Sequence, residues 1–544
     1  MEVSLAEVHK ALVRSVPERE ALIHARRRWC HAEIADRSRR LASYLRRCGL
    51  RVHVEREELQ PHESGQDHVA LYLHNSNEYL ESLVGSWYAR AAPFNVNYRY
   101  TGRELAHLLS DSRARAIVYH ATFAPALQAI REQVSTLEAL IQVADGSGNA
   151  LLPGAVDYEE ALALSEAAAS DPAPSPDDLF VLYTGGTTGS PKGVLWRGTD
   201  VFYAAMGGVR PDGSEVEDLA VFGQELTQME PTRTLIAPPF MHAAALWTAF
   251  QTWMNGGTVV LPDDTTRLDA PALLRVIETE RCSSLLIVGD AFARPILDAL
   301  ESSDHDLSCL AAVISSGAAL APAKKAALLE ALPHVMLVDG IGSSESGPQG
   351  VQISTRAGTA ASGAFQPLDG AAVVSSDRTR LLEPGSDEVG WFARSGRVPL
   401  GYLGDAEKTR ATFPEIDGRR WAVPGDRARI GADGTIELLG RDSTTINSGG
   451  EKIFAEEVEE ILRSHPDIAD ALVTGRPSDR WGEEVVGIVA LRDGHELSME
   501  ALLAFASDQL ARYKLPKAIL FRDHIERSPA GKGDYRWAAE QAAD

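Results

Sequence analysis

The chain of 544 residues is too long for one ordinary hydrophobic core, so its length predicts a large body of packed subdomains and a smaller unit. Hydrophobic residues make up 44% and charged residues 24% of the sequence, which is typical of soluble globular proteins and disfavours disordered and membrane classes. The 53 Lys and Arg residues against 77 Asp and Glu give a formal net charge of -24, which disfavours nucleic acid as a partner. Any anionic ligand must therefore be held by backbone amides and a few well-placed basic side chains.

The cysteines and the start of the sequence indicate a compartment. Cys30, Cys48, Cys282 and Cys309 are scattered without CxxC spacing, which argues against a disulfide framework or a zinc site. The start, MEVSLAEVHKALVRSVPERE, carries charges throughout, and no run reaches the roughly 18 apolar residues of a membrane span. We therefore expect a reducing cytoplasm as the location and no integral membrane segment.

In chain order, the first clear elements lie in residues 68–98, HVALYLHNSNEYLESLVGSWYARAAPFNVNY. This stretch reads as an apolar strand, a polar loop, a helix and a second strand, and such a unit predicts a parallel sheet. Short Val/Ile/Leu runs precede helical patterns again at residues 116–143, 235–261, 285–300 and 311–338. The predicted class is α/β, with mixed sheets flanked by helices.

A second unit is predicted at the end of the chain. Residues 434–440 (GTIELLG) resemble a strand and are followed by the turn-rich RDSTTINSGGEK. Residues 455–464 then place Val458, Ile461 and Leu462 on one helical face. We therefore divide the chain into a body of residues 1–439 and a small α+β domain of residues 440–544.

The most informative single segment is YTGGTTGSPKGV, residues 183–194. Its small residues allow several backbone N–H groups and hydroxyls to point at one anion, and Lys192 adds a positive charge. The segment does not match GxxxxGK[ST], and Pro191 with the strand-like Val194–Trp196 disfavours a following helix. The alternatives are a flexible surface loop and a phosphate loop of another architecture.

The full string resembles the phosphate-binding signature of the adenylate-forming superfamily, which includes acyl-CoA synthetases, luciferases and peptide-synthetase adenylation domains. Further elements of that family follow in the same order over nearly the whole chain. The resemblance implies an ATP site, and in this segment it assigns ATP binding to Thr184, Gly185, Gly186, Thr187, Thr188, Gly189 and Lys192.

Two segments resemble the family's adenine side. Residues 315–319 (SSGAA) resemble the adenine-edge element and imply contacts from Gly317 and Ala318. Residues 339–345 (DGIGSSE) resemble GYGxTE and imply that Glu345 is catalytic and a Mg2+ ligand, since Mg2+ requires hard oxygen donors. The implied ATP contacts of this second segment are Asp339, Gly340, Ile341, Gly342 and Ser344, and Ile341 replaces an aromatic residue that stacks on adenine in relatives.

The ribose side and the hinge are also implied by resemblance. Gly425-Asp426 resembles TGD, whose carboxylate accepts hydrogen bonds from both ribose hydroxyls. Gly440-Arg441 resembles the GR that opens the hinge, with Arg441 reaching the nucleotide. The pivot falls on Ser443, where relatives have Asp or Lys, and the C-terminal domain would be mobile about it. Without the shared order of the motifs, a turn Asp and a surface Arg would be the better explanations of Asp426 and Arg441.

Two further residues are placed where adenylation would occur. Lys532 in SPAGKG resembles the lysine that binds ATP and assists adenylation, because its ammonium offsets the repulsion between carboxylate and phosphate. His242 in APPFMHAAALW matches a position beside the acyl group, with Ala243 and Gly289 as small neighbours that leave space. A lone histidine among apolar residues is otherwise a core residue.

The acceptor of the acyl group is indicated by the C-terminal domain. The resemblance assigns CoA contacts to Gly449, Gly450, Trp481, Tyr513 and Lys517, although exposed Trp and Lys also have ordinary explanations. The implied enzyme is an AMP-forming acyl-CoA synthetase that uses ATP, Mg2+ and CoA, closest to ligases for fatty acids and steroid side-chain acids. Delivery to a carrier protein and an inactive nucleotide-binding relative remain alternatives, and the sequence leaves a homodimer open.

Overall fold

A computed structural model describes the chain over residues 1–100, 102–166, 172–184, 191–210, 212–302, 304–358, 364–441, 444–448, 451–478, 482–507, 509–510, 512–528 and 531–543. Within these ranges, no helix is both long and apolar enough to cross a membrane.

The helices of the described residues are α1 (Leu5–Ser15), α2 (His31–Arg47), α3 (Asn77–Tyr88), α4 (Gly102–Asp111), α5 (Ala124–Ile130), α6 (Tyr158–Ala163), α7 (Gly198–Ala205), α8 (Leu219–Gln228), α9 (Ala243–Met254), α10 (Ala270–Glu280), α11 (Gly289–Glu301), α12 (Pro322–Ala331), α13 (Ala406–Thr412), α14 (Ala455–Arg463), α15 (Met499–Ser507) and α16 (Tyr535–Ala543). Short 3₁₀ turns lie at Arg56–Glu58, Ala121–Phe123 and Arg131–Gln133.

The strands of the first half are β1 (Glu20–His24), β2 (Arg27–Cys30), β3 (His68–Tyr72), β4 (Ala92–Asn95), β5 (Ala114–His120), β6 (Ala139–Val143), β7 (Ala155–Asp157), β8 (Leu179–Thr184), β9 (Lys192–Arg197), β10 (Arg233–Ile236), β11 (Thr258–Val260) and β12 (Ser284–Ile287). Those of the second half are β13 (Ala312–Ser316), β14 (Met336–Ser343), β15 (Gly347–Ser354), β16 (Ala364–Pro367), β17 (Ala371–Val374), β18 (Gly390–Ser395), β19 (Gly401–Tyr402), β20 (Glu415–Ile416), β21 (Arg419–Ala422), β22 (Asp426–Ile430), β23 (Ile436–Arg441), β24 (Thr445–Ser448), β25 (Glu451–Phe454), β26 (Ile468–Ser478), β27 (Gly482–Leu491) and β28 (Ala518–Arg522).

The large sheet runs in the order β2-β1-β11-β10-β12-β13-β14-β15-β16-β23-β22-β18-β21-β20, and β17 pairs with β18. Its strands from β1 to β14 in that order are parallel. Antiparallel strands lie on both sides of this part, since β2 pairs antiparallel with β1 and β15 with β14. The predicted strand–helix–strand units at 235–261, 285–300 and 311–338 supply this parallel part. The prediction of mixed sheets flanked by helices is confirmed.

The central sheet runs in the order β19-β9-β8-β4-β3-β5-β6-β7. The predicted unit of residues 68–98 forms β3, α3 and β4, and the two strands are parallel. Between this sheet and the large sheet lies a continuous apolar core to which α1, α2, α3 and α9 contribute Leu12, Leu41, Leu80 and Trp253. This core fixes the two sheets relative to each other, and therefore the relative positions of the loops at their strand ends.

The C-terminal sheet runs in the order β25-β24-β27-β26, and β28 joins β27 in parallel. The predicted helix of residues 455–464 is α14, and it buries Val458 and Leu462 in a core with Val473 and Val489 of the sheet. β23 belongs to the large sheet and continues to residue 441, so the predicted border between residues 439 and 440 falls inside a strand.

Candidate functional site

The glycine-rich segment is the connection of an antiparallel hairpin. β8 and β9 pair so that Tyr183 lies opposite Gly193 and Thr184 opposite Lys192. The prediction that a strand, and no helix, follows the loop is confirmed by β9. The predicted contacts Gly185, Gly186, Thr187, Thr188 and Gly189 lie outside the described residues. Lys192 is the first residue of β9, at the end of the loop. β9 lies between β8 and β19, the edge strand of this sheet.

A buried amide ties this hairpin to a second segment of the cleft. Asn95, the last residue of β4, donates from Nδ2 to the carbonyls of Tyr183 (2.8 Å) and Met241 (2.7 Å). Its Oδ1 accepts from the Tyr183 N–H at 2.8 Å. The end of β8 and the residue before His242 are thus held together by one side chain, and no local sequence signal marks Asn95 as a site residue.

Glu345 lies in the turn between β14 and β15. Trp196 of β9, a fully buried residue, donates from Nε1 to the carbonyl of Ser344 at 2.8 Å. The hydroxyl of Tyr402 in β19 donates to Oε1 of Glu345 at 2.9 Å. Both bonds attach this turn of the large sheet to the edge of the central sheet, at β19 and at β9, the strand that begins with Lys192.

The predicted adenine segments lie side by side. β13 and β14 are parallel, with Ser315 opposite Asp339 and Ser316 opposite Gly340. Gly317 and Ala318 therefore follow β13 next to Gly340, Ile341 and Gly342, and Gly317 has a left-handed φ of +91° that favours glycine. Half-buried Ile341 packs on the apolar cluster that contains Phe392.

Asp339 has a buried partner. It is 6% exposed, and its Oδ2 pairs with Nζ of Lys325 in α12 at 2.7 Å. Burial raises the pKa of Asp339, and the charge of Lys325 opposes that shift. Its carboxylate therefore joins α12 to β14, and its predicted contact with ATP stays a prediction.

The structure gives a packing reason for the small size of Gly289. A Cβ on this residue would lie 2.3 Å from the carbonyl oxygen of Ala319, and its N–H donates to Ser315 Oγ at 3.2 Å. The space beside its Cα is filled by the loop that follows β13. The glycine thus allows α11 to begin against that loop, and its predicted place beside an acyl group stays a prediction.

The predicted ribose residues are cross-strand neighbours. Asp426 begins β22 and lies directly opposite Arg441 at the end of β23. Asp426 is buried, and Gly425 before it has a φ of +108°. The side chain of Arg441 and the predicted pivot Ser443 lie outside the described residues.

His242 and Lys532 come from opposite ends of the site. His242 precedes α9 as its N-cap residue and is followed by the half-buried Ala243, while Lys532 is exposed on the loop before α16. Burial lowers the pKa of His242 to about 3, and the charges of Lys532 and Arg99 act in the same direction. No hydrogen-bond partner is found for its Nε2 in the described part of the chain. The charge of Lys532 therefore acts on a neutral imidazole.

Two family patterns match the sequence. The pattern of the AMP-binding enzyme family matches residues 10–390, which is more than half of the chain. The chain belongs to the AMP-binding enzyme family. The pattern of the AMP-binding enzyme C-terminal domain matches residues 457–532, inside the second unit.

Relatives of this AMP-binding enzyme match along its whole length. It is 51% identical to the medium-chain acyl-CoA ligase Mig of Mycobacterium avium, over 99% of this chain and 98% of that protein. It is 38% identical to the 3-oxocholest-4-en-26-oate–CoA ligase of Rhodococcus rhodochrous, over 99% of this chain and 96% of that one. The chain thus matches at least 96% of each of these two ligases.

Solved structures share the fold. MatB of Rhodopseudomonas palustris with ATP bound superposes with a TM-score of 0.81 over 100% of this chain and 99% of that one, at 22% identity. The anthranilate CoA ligase AuaEII with anthranoyl-AMP gives 0.81 over 98% and 97%, also at 22% identity. At this identity the two likenesses show that the chain shares their fold.

The acidic residues of this AMP-binding enzyme fit a magnesium ion that is shared with a substrate. The described residues contain no group of three or more His, Cys, Asp or Glu that could hold a metal. Mg2+ is commonly bound by one or two carboxylates with phosphate oxygens and water. Glu345 supplies one such carboxylate oxygen, in the turn after β14, so the residues present fit an ion held jointly with ATP.

The predicted CoA contacts are only partly described. Tyr513 is 44% exposed and Lys517 is exposed, both on the C-terminal domain before β28. The N–H of Lys517 donates to the carbonyl of Val485 at 2.7 Å. This bond holds the backbone of Lys517 against β27, while the residue itself is exposed. Gly449, Gly450 and Trp481 lie outside the described residues.

Proposed function

We propose that this AMP-binding enzyme is an ATP-dependent, AMP-forming acid–CoA ligase for medium- to long-chain or bulky hydrophobic carboxylic acids. The observation that carries the proposal is the contact of the loop that carries Lys532 with the body: a Cβ on Gly531 would lie 2.9 Å from Cβ of Ala291 in α11, and the charge of Lys532 acts on His242 at the start of α9. A cation from one domain facing a neutral polar group of the other is the arrangement that adenylation of a carboxylate needs.

In the first step, a carboxylate oxygen of the acid attacks the α-phosphorus of ATP. The new bond is the acyl–phosphate C(O)O–P bond, and the bond to the β-phosphate oxygen breaks, so pyrophosphate leaves with the electron pair. Lys532 stabilises the negative charge that gathers in the transition state, and Lys192 binds the phosphates from the hairpin. Glu345 would hold Mg2+, which when bound neutralises phosphate charge.

His242 serves to orient the acid. Its pKa of about 3 keeps the imidazole neutral near pH 7, and its Nε2 is a buried polar atom for which the described residues supply no hydrogen-bond partner. A hydrogen bond from this ring to the carboxylate would fix the attacking oxygen, and the reaction requires no proton transfer at that point. Asp426 holds the ribose and the segments after β13 and β14 enclose the base.

In the second step, the CoA thiol sulfur attacks the acyl carbonyl carbon and forms the C–S bond. The bond from that carbon to the AMP phosphate oxygen breaks, AMP leaves with the electron pair, and the thiol proton passes to water. The exposed Tyr513 and Lys517 would meet CoA after the C-terminal domain rotates at Ser443 and removes Lys532. No thiol of the enzyme is needed as a nucleophile. Cys282 is unsuited to that role, because burial raises its pKa to about 12.

The substrate class follows from the relatives together with the start of α9. The relatives named above act on medium-chain acids and on a steroid side-chain acid, by their names. α9 opens with three alanines after His242, which leaves room for an apolar chain. Hydrophobic acids are therefore the first to test.

The decisive experiment measures acid-dependent pyrophosphate release with and without CoA. Medium-chain, long-chain, aromatic and steroid acids form the panel, and AMP and acyl-CoA are quantified in parallel. We expect release with hydrophobic acids and acyl-CoA only when CoA is present. Acyl-AMP that accumulates and passes to a carrier protein, but never to CoA, would contradict the CoA step, and no release with any acid would overturn the activity.

A further inference from the structure

The segment Gly401–Asp405, here named the β19 turn, lies along the edge of the phosphate hairpin. β19 pairs with β9 so that Gly401 faces Leu195 and Tyr402 faces Val194. The N–H of Leu403 then donates to the carbonyl of Gly193 at 2.8 Å. This register carries the β19 turn past the foot of the glycine-rich loop.

Tyr402 reaches the acidic residue of the site from a fixed position. Its ring is 3% exposed and packs on Phe413, with a centroid distance of 6.0 Å. Lys408 Nζ lies over the ring, 4.6 Å from its centroid. From this position its hydroxyl donates to Oε1 of Glu345, which lies 57 positions away in the sequence.

The hydrogen bond from Tyr402 engages only one of the two oxygens of the Glu345 carboxylate. Oε1 of Glu345 is taken by Tyr402, and in the described part of the chain no other side chain bonds the carboxylate. Oε2 therefore remains for a cation. A hydrogen bond to a ligating carboxylate fixes its orientation, and loss of such an outer bond commonly weakens metal binding about 10- to 100-fold.

Asp405 holds the second charged group. Its Oδ2 pairs with Nζ of Lys192 at 3.1 Å, while its Oδ1 accepts from the Lys408 N–H at 2.9 Å and caps α13. The cap fixes the carboxylate, and the carboxylate in turn restrains a long, flexible side chain. Ordering a lysine in advance reduces the conformational entropy that ligand binding must overcome.

We propose that the β19 turn positions the phosphate side of the ATP site: Tyr402 orients Glu345 toward Mg2+, and Asp405 holds Lys192 ready for the phosphates. The proposal rests on the proposed function, since it takes Glu345 and Lys192 as ATP-site residues. Tyr402 and Asp405 are positioning residues, because each acts through another side chain.

The test is a binding experiment, with Mn2+ as the probe and the non-hydrolysable α,β-methylene analogue of ATP. Free Mn2+ is measured by its electron paramagnetic resonance signal for the wild-type enzyme, Tyr402→Phe and Tyr119→Phe. Tyr119 is a matched control, because it is also buried and its hydroxyl donates to Gln142 Oε1 at 2.9 Å within the central sheet. Tyr402→Phe keeps the ring and removes only the hydroxyl.

We expect Tyr402→Phe to weaken Mn2+ binding in the analogue complex by about tenfold, and Tyr119→Phe to leave it unchanged. Equal Mn2+ affinity of Tyr402→Phe and the wild-type enzyme would overturn the role of Tyr402. An equal loss in both variants would also overturn it, since the effect would then follow from removal of any buried hydroxyl.

Asp405→Asn separates the two parts of the proposal. Asparagine also caps helices well, so α13 keeps its cap while the ion pair with Lys192 is lost. We expect weaker binding of the analogue even without metal, by a few-fold, and unchanged analogue affinity would overturn the role of Asp405. Every readout here is binding of Mn2+ or of the ATP analogue. Failure to find acid-dependent pyrophosphate release would therefore overturn the proposed activity, while the binding of the variants would still decide the roles of Tyr402 and Asp405.

Discussion

His242 is constrained by three influences that act in the same direction. Burial disfavours its charged form, Lys532 and Arg99 add positive charge nearby, and the N-terminus of α9 also disfavours a cation. The resulting pKa of about 3 means that the ring exchanges no proton near pH 7. It remains a neutral hydrogen-bonding group throughout the working range.

The first prediction concerns the pH profile of adenylation. His242→Asn should slow acid-dependent pyrophosphate release without changing the shape of its pH profile between about pH 5 and 8, where unperturbed histidines titrate. The rate falls because the carboxylate is less well oriented, not because a base is lost. Disappearance of an inflection in the variant, measured on matched buffers, would instead show that His242 titrates during the reaction.

The second prediction concerns Lys532. Lys532→Ala should lower pyrophosphate release by about 10²- to 10³-fold, the cost of removing one electrostatic donor from a transition state. Transfer of the acyl group from supplied acyl-AMP to CoA should be nearly unchanged, because that step needs no cation at this place. A similar loss in both half-reactions would contradict an adenylation-specific role.

Among the helices, α11 forms the contact between the body and the loop that carries Lys532. Gly531 has a φ of +69°, and a Cβ built on it would lie 2.9 Å from Cβ of Ala291. Nearby, Arg294 Nη1 of the same helix donates to the carbonyl of Ala469 at 3.2 Å. The first turns of α11 thus contact the C-terminal domain. They limit how closely the loop that carries Lys532 can approach the body.

The third prediction tests this contact with Gly531→Ala. The new methyl group should push the loop away from α11 and slow adenylation by about 10- to 100-fold, since misplacement of about 1 Å has costs of that order. Gly494→Ala is the control: Gly494 has a φ of +76° in the same domain, but nothing lies near its Cβ direction. Both glycines have a positive φ, so both variants carry similar backbone strain. If Gly531→Ala and Gly494→Ala adenylate at the same rate, the contact with α11 does not explain the effect.

Elements and their order were predictable, whereas contacts between distant elements were not. Alternating apolar runs predicted β3, α3 and β4, and Pro191 with Val194–Trp196 predicted the strand after the loop. Asn95, Tyr402 and Asp405 reach the site through strand ends and sheet register, as when β19 pairs with β9. Register between strands so far apart in sequence is set by packing, and no local pattern encodes it.

At the scale of the whole molecule, buried histidines connect the fold to pH. His9 of α1 and His31, which begins α2, both pack on Trp253 of α9, with ring centroids 5.9 and 5.7 Å away. Burial lowers the pKa of each to about 3. Neither nitrogen of the His31 ring has a hydrogen-bond partner in the described residues. No hydrogen bond found there would therefore offset the cost of burying a charged ring.

The last prediction is a loss of stability in mild acid that His31 helps to cause. Between about pH 6.5 and 3 the unfolded chain binds a proton at this histidine and the folded chain does not, so stability rises with pH through that window and is lost as pH falls. Each such histidine contributes about 1.4 kcal/mol per pH unit. His31→Leu should therefore flatten the dependence of the melting temperature on pH between about pH 6 and 4.5, whereas His107→Leu, at an exposed position of α4, should not. Identical slopes for the wild-type protein and His31→Leu would mean that the buried ring is protonated within the folded core, and the core between α1, α2 and α9 would then have to open to water before the protein unfolds.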